Sequence, residues 1–519
     1  MKQHPPSHSP DHGEVTGPVA DTPAEPQPGA AAVPGAAPAQ ASRRQALQRL
    51  GAVAGLTGLQ GWAAWQGAEV WAQSPAAAST GEPPRLALLI GNREYPGGDD
   101  LPPIHKNVRD LRQALEQRGF TVTDGVDLDL AASRALVARF VAQVQAAPPD
   151  STVFFYFSGH GAQVDAQNLL VSARISPKAQ PATLVRGSMT LLQDVVTPLP
   201  RRPQGLTIAV VDACRTSLVS ALHSAGMNQV EAPPGCLIAF ATGAGRPAIA
   251  PADDTRNTFY TGSLVKLLNT ASDEISFSDL FRLVKLDVQQ TMLNHPVPLL
   301  RQFAQFPFIA ENTQVSRRLA PVAAAAVAAA TPAPARFANT DEAEDWKKLE
   351  AALWPAEVNR LAESYLKKHP QSRLAGSAEV AREGAAEAAK LLRRNDVKLF
   401  RSAFLEPGAL PEDRLRDLAK AGRGDKDAAA RLGRWYANAK PAAAAPPAGY
   451  GGYGAPPRQE ANRYEGWMQY AAALGNGIAS YELALYYRRQ DQPLPAAQYE
   501  ARAQELGYTP PPSLDNTRK

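Results

Sequence analysis

The chain has 519 residues, 44% of them hydrophobic, and a formal net charge of +4. This length suffices for two or three domains, and so small a charge gives no reason to expect nucleic acid as the main partner. Two cysteines cannot form a disulfide framework, and without a CxxC pattern or a Cys/His cluster they do not indicate a zinc site.

Residues 1–73 are predicted to be a disordered region followed by an export signal. The first part is rich in Pro, Ala and Gly, a composition typical of disorder. Arg43 and Arg44 precede an apolar stretch at 50–65, and small residues suit signal-peptidase cleavage before Gln73. The pattern resembles a twin-arginine export signal of bacteria, so we expect a periplasmic protein. The alternative is a membrane anchor formed by an uncleaved signal, but the apolar run falls short of the roughly 20 residues that a span needs.

Between residues 85 and 310 the sequence alternates apolar strands with amphipathic helices. Strand patterns lie at 85–91, 121–126, 151–159, 206–212 and 236–242, and helix patterns lie at 107–120, 132–147 and 190–199. Strands rich in β-branched and aromatic residues and separated by helices are typical of a parallel sheet covered on both faces. The sequence therefore predicts an α/β domain with a mostly parallel sheet flanked by helices.

Two of these strands end in residues that can carry chemistry. Ser158–Gly161 follows one strand and Asp212–Arg215 follows another. Because the carboxyl ends of parallel strands meet at one edge of a sheet, we expect His160 and Cys214 to lie close together, although 54 positions (214 − 160) separate them. An imidazole there can take the thiol proton and later protonate a leaving amine. The N–H groups of Gly161 and Cys214 are candidates for an oxyanion hole.

The two motifs, YFSGHG and VVDACR, resemble the paired His and Cys motifs of caspase-like cysteine peptidases of the C14 type, which include bacterial metacaspases. The stretches ALLIGN and RNTFYTGSLVKLL extend the resemblance over about residues 85–310. It implies a caspase-like fold, a catalytic dyad of His160 and Cys214, and hydrolysis of peptide bonds through a thioester. The alternative is an inactive caspase-like scaffold that acts by binding other proteins.

The residues around the dyad depart from the caspase pattern in ways that bear on the substrate. Caspases that cleave after aspartate have a glutamine two residues before the cysteine, whereas this chain has Asp212. A carboxylate favours peptide or protein substrates with arginine or lysine at the cleaved position, as metacaspases prefer, and we expect Arg to be preferred over Lys. Metacaspases supply a second acid at the start of the first helix, where this chain has Asn107. Asp212 and Asn107 are therefore the predicted substrate-binding residues.

The sequence implies no cofactor and no metal site. Family members that calcium activates carry a dense acidic stretch after the His motif. Here the corresponding residues, 161–175, include only Asp165 as an acidic side chain. Calcium activation is therefore not supported by the sequence.

Beyond the α/β domain, the sequence predicts a linker and a helical domain. Residues 311–341 include an Ala/Pro-rich linker, 342–508 carry helix signals without strand signals, and 509–519 form a tail. The repeated pattern described next indicates a separate helical module, so we expect residues beyond Glu342 to be dispensable for the hydrolysis of short peptides.

The helical domain contains two copies of one pattern. Residues 424–436 and 475–487 match at a constant offset of 51 positions (475 − 424). Removing the proline-rich stretch 441–457, which has 17 residues, leaves a unit of 34. This resembles Sel1-like repeats of the tetratricopeptide type, which implies binding of a protein partner; the alternative is a helical bundle without repeats.

Overall fold

The computed structural model describes residues 83–214, 228–243, 248–249, 251–319, 336–438 and 463–510. The predicted export signal and the proline-rich stretch 441–457 lie outside these ranges. The helices within them are all too short or too polar to cross a bilayer.

Eight strands form a sheet in the N-terminal part of the described chain. They are β1 (Arg85–Gly91), β2 (Phe120–Val126), β3 (Thr152–Val164), β4 (Gln167–Val171), β5 (Ser188–Thr190), β6 (Leu206–Cys214), β7 (Cys236–Phe240) and β8 (Phe308–Asn312). The main path has the order β2-β1-β3-β6-β7-β8, and every neighbouring pair along it is parallel except β7–β8. The strands β4 and β5 extend β3 as an antiparallel arm. The prediction of a mostly parallel sheet is confirmed.

Helices cover both faces of the sheet, as the sequence predicts. They are α1 (Ile104–Gln117), α2 (Leu130–Ala146), α3 (Pro181–Gly187), a π-helix (Leu191–Val196), α4 (Phe259–Thr270), α5 (Phe277–Leu293) and α6 (Pro298–Gln302). Alternate residues of β3 enter opposite cores: Phe154 and Tyr156 pack with α1, α4 and α5, whereas Phe155 and Phe157 pack with α2. Both faces of β3 therefore lie in apolar cores, which explains the uninterrupted apolar run in the sequence.

Two local predictions differ from the structure. The strand expected over 151–159 continues as β3 through His160 to Val164, because β4 pairs with its second half and satisfies the backbone there. The helix expected over 190–199 is a π-helix over Leu191–Val196, since Thr190 pairs with β4. Pro198 lies two residues after its end and cannot continue a helix.

The C-terminal part of the described chain is helical. Its helices are α7 (Thr340–Ala351), α8 (Pro355–Lys368), α9 (Ala375–Leu391), α10 (Ser402–Leu405), α11 (Glu412–Gly422), α12 (Lys426–Asn438), α13 (Arg463–Ala473), α14 (Gly477–Arg489) and α15 (Pro493–Glu505). The predicted helical domain is confirmed.

The pairs α11–α12 and α13–α14 are built alike. Gly424 and Gly475 each turn the chain between the two helices at positive φ, 80° and 98°, which glycine adopts without strain. The next residue, Asp425 or Asn476, caps the second helix by accepting a backbone N–H three residues on. These matches support an internal repeat at the offset of 51, while its Sel1-like type stays a prediction.

The helical domain packs against β8, the antiparallel edge strand of the sheet. Glu311 of β8 is 1% exposed and forms ion pairs at 2.8 Å with Lys420 of α11 and with Arg282 of α5. Although burial opposes ionisation, these two cations hold the pKa of Glu311 well below its usual range. The backbone N–H of Glu311 donates to Asp427 of α12. The edge strand is thereby covered by the helical domain.

Candidate active site

The strands β3 and β6 bring the two predicted catalytic positions together. They run parallel, with His160 opposite Cys214 and Ser158 opposite Asp212 in the register. Since neighbouring strands lie about 4.8 Å apart, the backbones at His160 and Cys214 are adjacent. Of Cys214 the structure describes the backbone alone. The expected meeting of both motifs at one sheet edge is therefore observed for the main chain.

The imidazole of His160 is held in one tautomer. The side chain is buried, and its Nε2 lies 2.8 Å from the carbonyl oxygen of Asp99, in the segment that follows β1. A carbonyl oxygen can only accept, so Nε2 carries the hydrogen and Nδ1 is the nitrogen that can take up a proton. The backbone carbonyl of Asp99 therefore orients the imidazole of His160.

Tyr95 is a site residue that the sequence reasoning missed. Its hydroxyl accepts the backbone N–H of His160 at 3.0 Å and donates to the carbonyl of Val171 at 3.2 Å. Its ring packs edge-on against the imidazole, with the ring centroids 4.5 Å apart. A Cβ at Gly159 would lie 2.6 Å from the same hydroxyl. Gly159 therefore leaves room for Tyr95, a role that the sequence analysis did not foresee.

Asp212 is a buried carboxylate held by neutral donors. It is 2% exposed, and its Oδ2 accepts hydrogen bonds from the hydroxyls of Thr258 and of Thr261, the latter at 2.5 Å. Burial raises the pKa of Asp212, and the threonine hydroxyls oppose that rise. Among the described residues, no Lys, Arg or His forms an ion pair with this carboxylate.

Asn107 lies in the same network but reaches Asp212 indirectly. It is fully buried; its Nδ2 donates to Ser158 and Thr258, and its Oδ1 accepts from the N–H of Thr258 and from Asn257. The structure therefore places Asn107 behind Thr258, which it helps to orient toward Asp212.

Of the remaining candidate groups, Gly161 is buried and pairs with Leu170 in the β3–β4 hairpin. Cys236 lies buried at the start of β7, and burial raises the pKa of its thiol to about 11. Such a thiol stays protonated and unreactive near neutral pH. Within the described ranges, no three His, Cys, Asp or Glu side chains converge to hold a metal ion.

Comparison with known proteins matches part of the chain to a family. Residues 84–317 match the family model of peptidase C14, described as the caspase domain. Among solved structures, the chain is similar to caspase-1 from Spodoptera frugiperda, with 16% sequence identity and a TM-score of 0.35. That similarity covers 46% of this chain and 90% of the other. The comparison with curated proteins found no match.

Proposed function

We propose that this chain, whose residues 84–317 form a caspase domain, is a cysteine-type endopeptidase that uses a dyad of His160 and Cys214. The observation that carries the proposal is the parallel register of β3 and β6, which sets the backbones of the two residues opposite each other at the carboxyl end of β6. The hydrogen bond from His160 to the carbonyl of Asp99 adds to it, because it selects the tautomer that a general base needs.

The proposed reaction uses both residues. Nδ1 of His160 takes the thiol proton of Cys214, and the thiolate attacks the carbonyl carbon of the substrate. The N–H groups of Gly161 and Cys214 stabilise the charge that develops on the carbonyl oxygen. The imidazolium then protonates the leaving amine, the C–N bond breaks, and a thioester remains. Water activated by His160 hydrolyses the thioester, which releases the acid and restores the thiol.

The preferred substrate residue at the cleaved bond is arginine, then lysine. Support comes from Asp212, a buried carboxylate that only the hydroxyls of Thr258 and Thr261 contact among the described side chains. A guanidinium can donate two parallel hydrogen bonds to a carboxylate, whereas an ammonium acts as a point charge. An aspartate side chain at the same place would be repelled.

A panel of fluorogenic peptides tests this function on the full chain. Peptides ending in Arg, Lys, Asp or Ala before the reporter group are compared at matched concentrations. We expect turnover in the order Arg, Lys, then the other two, with no requirement for added calcium. If the folded protein hydrolysed none of these peptides, the result would instead favour the inactive-scaffold alternative.

Replacing Tyr95 by phenylalanine should lower kcat for an arginyl peptide by about tenfold and change KM little. The ring that packs on His160 remains, but the buried N–H of His160 loses its acceptor. Steady-state kinetics measure the effect. Tyr481→Phe is the matched control, because its hydroxyl has no hydrogen-bond partner among the residues that the structure describes. Equal kinetics for Tyr95→Phe and the wild type would show that the hydroxyl does not orient the imidazole.

Export by the twin-arginine route remains part of the proposal, with binding of a protein partner by the helical domain. Changing both Arg43 and Arg44 to lysine should leave the precursor in the cytoplasm with its N-terminal extension intact. Cell fractionation and N-terminal sequencing measure this, with Arg49→Lys as the control outside the pair. Mature protein starting near Gln73 outside the cytoplasm of the double variant would exclude this route.

A further inference from the structure

The end of the helical domain contacts two segments of the α/β domain. One is Asn228–Glu231, here called the returning segment, which leads to β7, and the other is the hairpin of β3 and β4 that extends from His160. We propose that the helical domain acts as a positioning clamp for the catalytic dyad, with Gln229 as its central residue. This inference rests on the proposed peptidase function and deepens it.

Gln229 is bound by the helical domain through every polar atom of its side chain. Its Nε2 donates to the carbonyls of Gly475 and Leu506, at 3.1 and 2.9 Å, and its Oε1 accepts the N–H of Gly477 at 2.8 Å. A Cβ at Gly477 would lie 3.0 Å from this oxygen, so the glycine permits the close approach. The Gln229 side chain is buried, and its amide is therefore fully satisfied only while the helical domain is in place.

The neighbouring residue, Asn228, joins the same helical end to the hairpin. Its backbone N–H and carbonyl pair with the side chain of Asn168 on β4, at 2.7 and 3.0 Å. Its own side chain donates to the carbonyls of Ala166 and Thr509 and accepts the N–H of Thr509. One amide thus ties together the hairpin, the returning segment and the last described residues of the helical domain.

A further bond reaches the strand of the catalytic histidine itself. Gln163, three positions after His160 on β3, donates from Nε2 to the hydroxyl of Thr509 at 3.1 Å. Glu231 on the returning segment also pairs with Arg434 of α12. Networks of directional hydrogen bonds fix the relative positions of the groups that they join.

The clamp reverses the expectation that the helical domain is dispensable for short peptides. Its contacts lie on the hairpin that continues β3 beyond His160 and on the returning segment that is bonded to this hairpin. A second contact between the domains lies elsewhere. Arg373 forms ion pairs with Asp273 and Glu274. Glu274 also pairs with Arg318, whose backbone carbonyl accepts a hydrogen bond from Arg85 at the start of β1. This second contact is at the opposite end of the sheet and provides a matched control.

The test compares Gln229→Met with Arg373→Met in the full chain. The methionine keeps the volume of Gln229 but removes its three side-chain bonds. We expect kcat for an arginyl peptide to fall by about tenfold or more, with KM within about twofold. We also expect the pH midpoint for alkylation of Cys214 by iodoacetamide, located by mass spectrometry, to rise because the imidazole no longer supports the thiolate. Arg373→Met should leave kcat and the alkylation midpoint of Cys214 unchanged, whatever its effect on the melting temperature.

Thr509→Val and Thr509→Ser provide a second pair that perturbs folding little. Serine keeps the hydroxyl that accepts from Gln163, so Thr509→Ser should keep the wild-type pH midpoint for alkylation of Cys214. Valine removes this hydroxyl, so Thr509→Val should raise the midpoint. A folded Gln229→Met protein with wild-type kcat and alkylation profile would overturn the clamp, as would equal losses in Arg373→Met. If the wild type hydrolysed no peptide, the proposed function would fail, while the alkylation profiles would still decide on the clamp.

Discussion

Replacing Cys214 by alanine should lower peptide hydrolysis by about 10⁴-fold or more, to the background rate. The variant removes the sulfur that attacks the carbonyl, and no neighbouring group in the proposed mechanism can take its place. His160→Ala should cost nearly as much, because residues that act as one unit do not contribute additively. Initial rates with an arginyl peptide, together with a circular dichroism spectrum, measure both losses on folded protein.

The second cysteine supplies the control for this experiment. Cys236→Ala should retain wild-type turnover, since the buried Cys236 thiol, with a pKa of about 11, cannot act as a nucleophile. A Cys214→Ala enzyme with near-normal turnover would contradict the proposed mechanism. Loss of activity in Cys236→Ala without loss of fold would contradict the assignment of the two thiols.

Replacing Asp212 by asparagine should lower kcat/KM for arginyl peptides by about 100-fold or more. The amide has the size of the carboxylate and can still bond the hydroxyls of Thr258 and Thr261, but it carries no charge to pair with a guanidinium. Alkylation of Cys214 by a small reagent should continue at nearly the wild-type rate, because the dyad is untouched. Peptide kinetics and the alkylation rate are measured side by side.

Asp287→Asn is the matched control for the Asp212 variant. Asp287 is also a buried acid of the same domain, but it bonds to Ser263 and Lys266. This control should keep the preference for arginine. Efficient cleavage after aspartate by the wild type, or normal cleavage after arginine by Asp212→Asn, would show that Asp212 does not select the substrate.

Much of the fold, and the adjacency of the His160 and Cys214 backbones, could be predicted because their signals are local. Each proposed catalytic residue follows its own apolar run, and parallel strands place their carboxyl ends at one edge. The continuation of β3 past His160 escaped prediction because the glycines beside His160 read as a turn, whereas β4 pairs with the strand there. In the sequence, the antiparallel edge strand β8 is only a short apolar run. It was interpreted as the end of the domain and not as a strand.

The supporting contacts could not be predicted because their partners are distant in sequence. Tyr95 and His160 are 65 positions apart, and Gln229 and Gly477 are 248 apart. In the sequence, Asn228 and Gln229 are ordinary polar residues, and the Ala/Pro-rich linker suggested two independent domains. Only the folded chain shows that these buried amides join them.

The most direct test of the proposed dyad is covalent labelling of the full chain by a peptidyl ketone with a leaving group, followed by mass spectrometry. The proposal predicts a single adduct on Cys214, formed fastest with an arginyl ketone, slower with a lysyl ketone and slowest with an aspartyl ketone. It also predicts that His160→Ala nearly abolishes the adduct. No adduct on Cys214 from any of these ketones, or equal labelling of the His160→Ala variant, would contradict it.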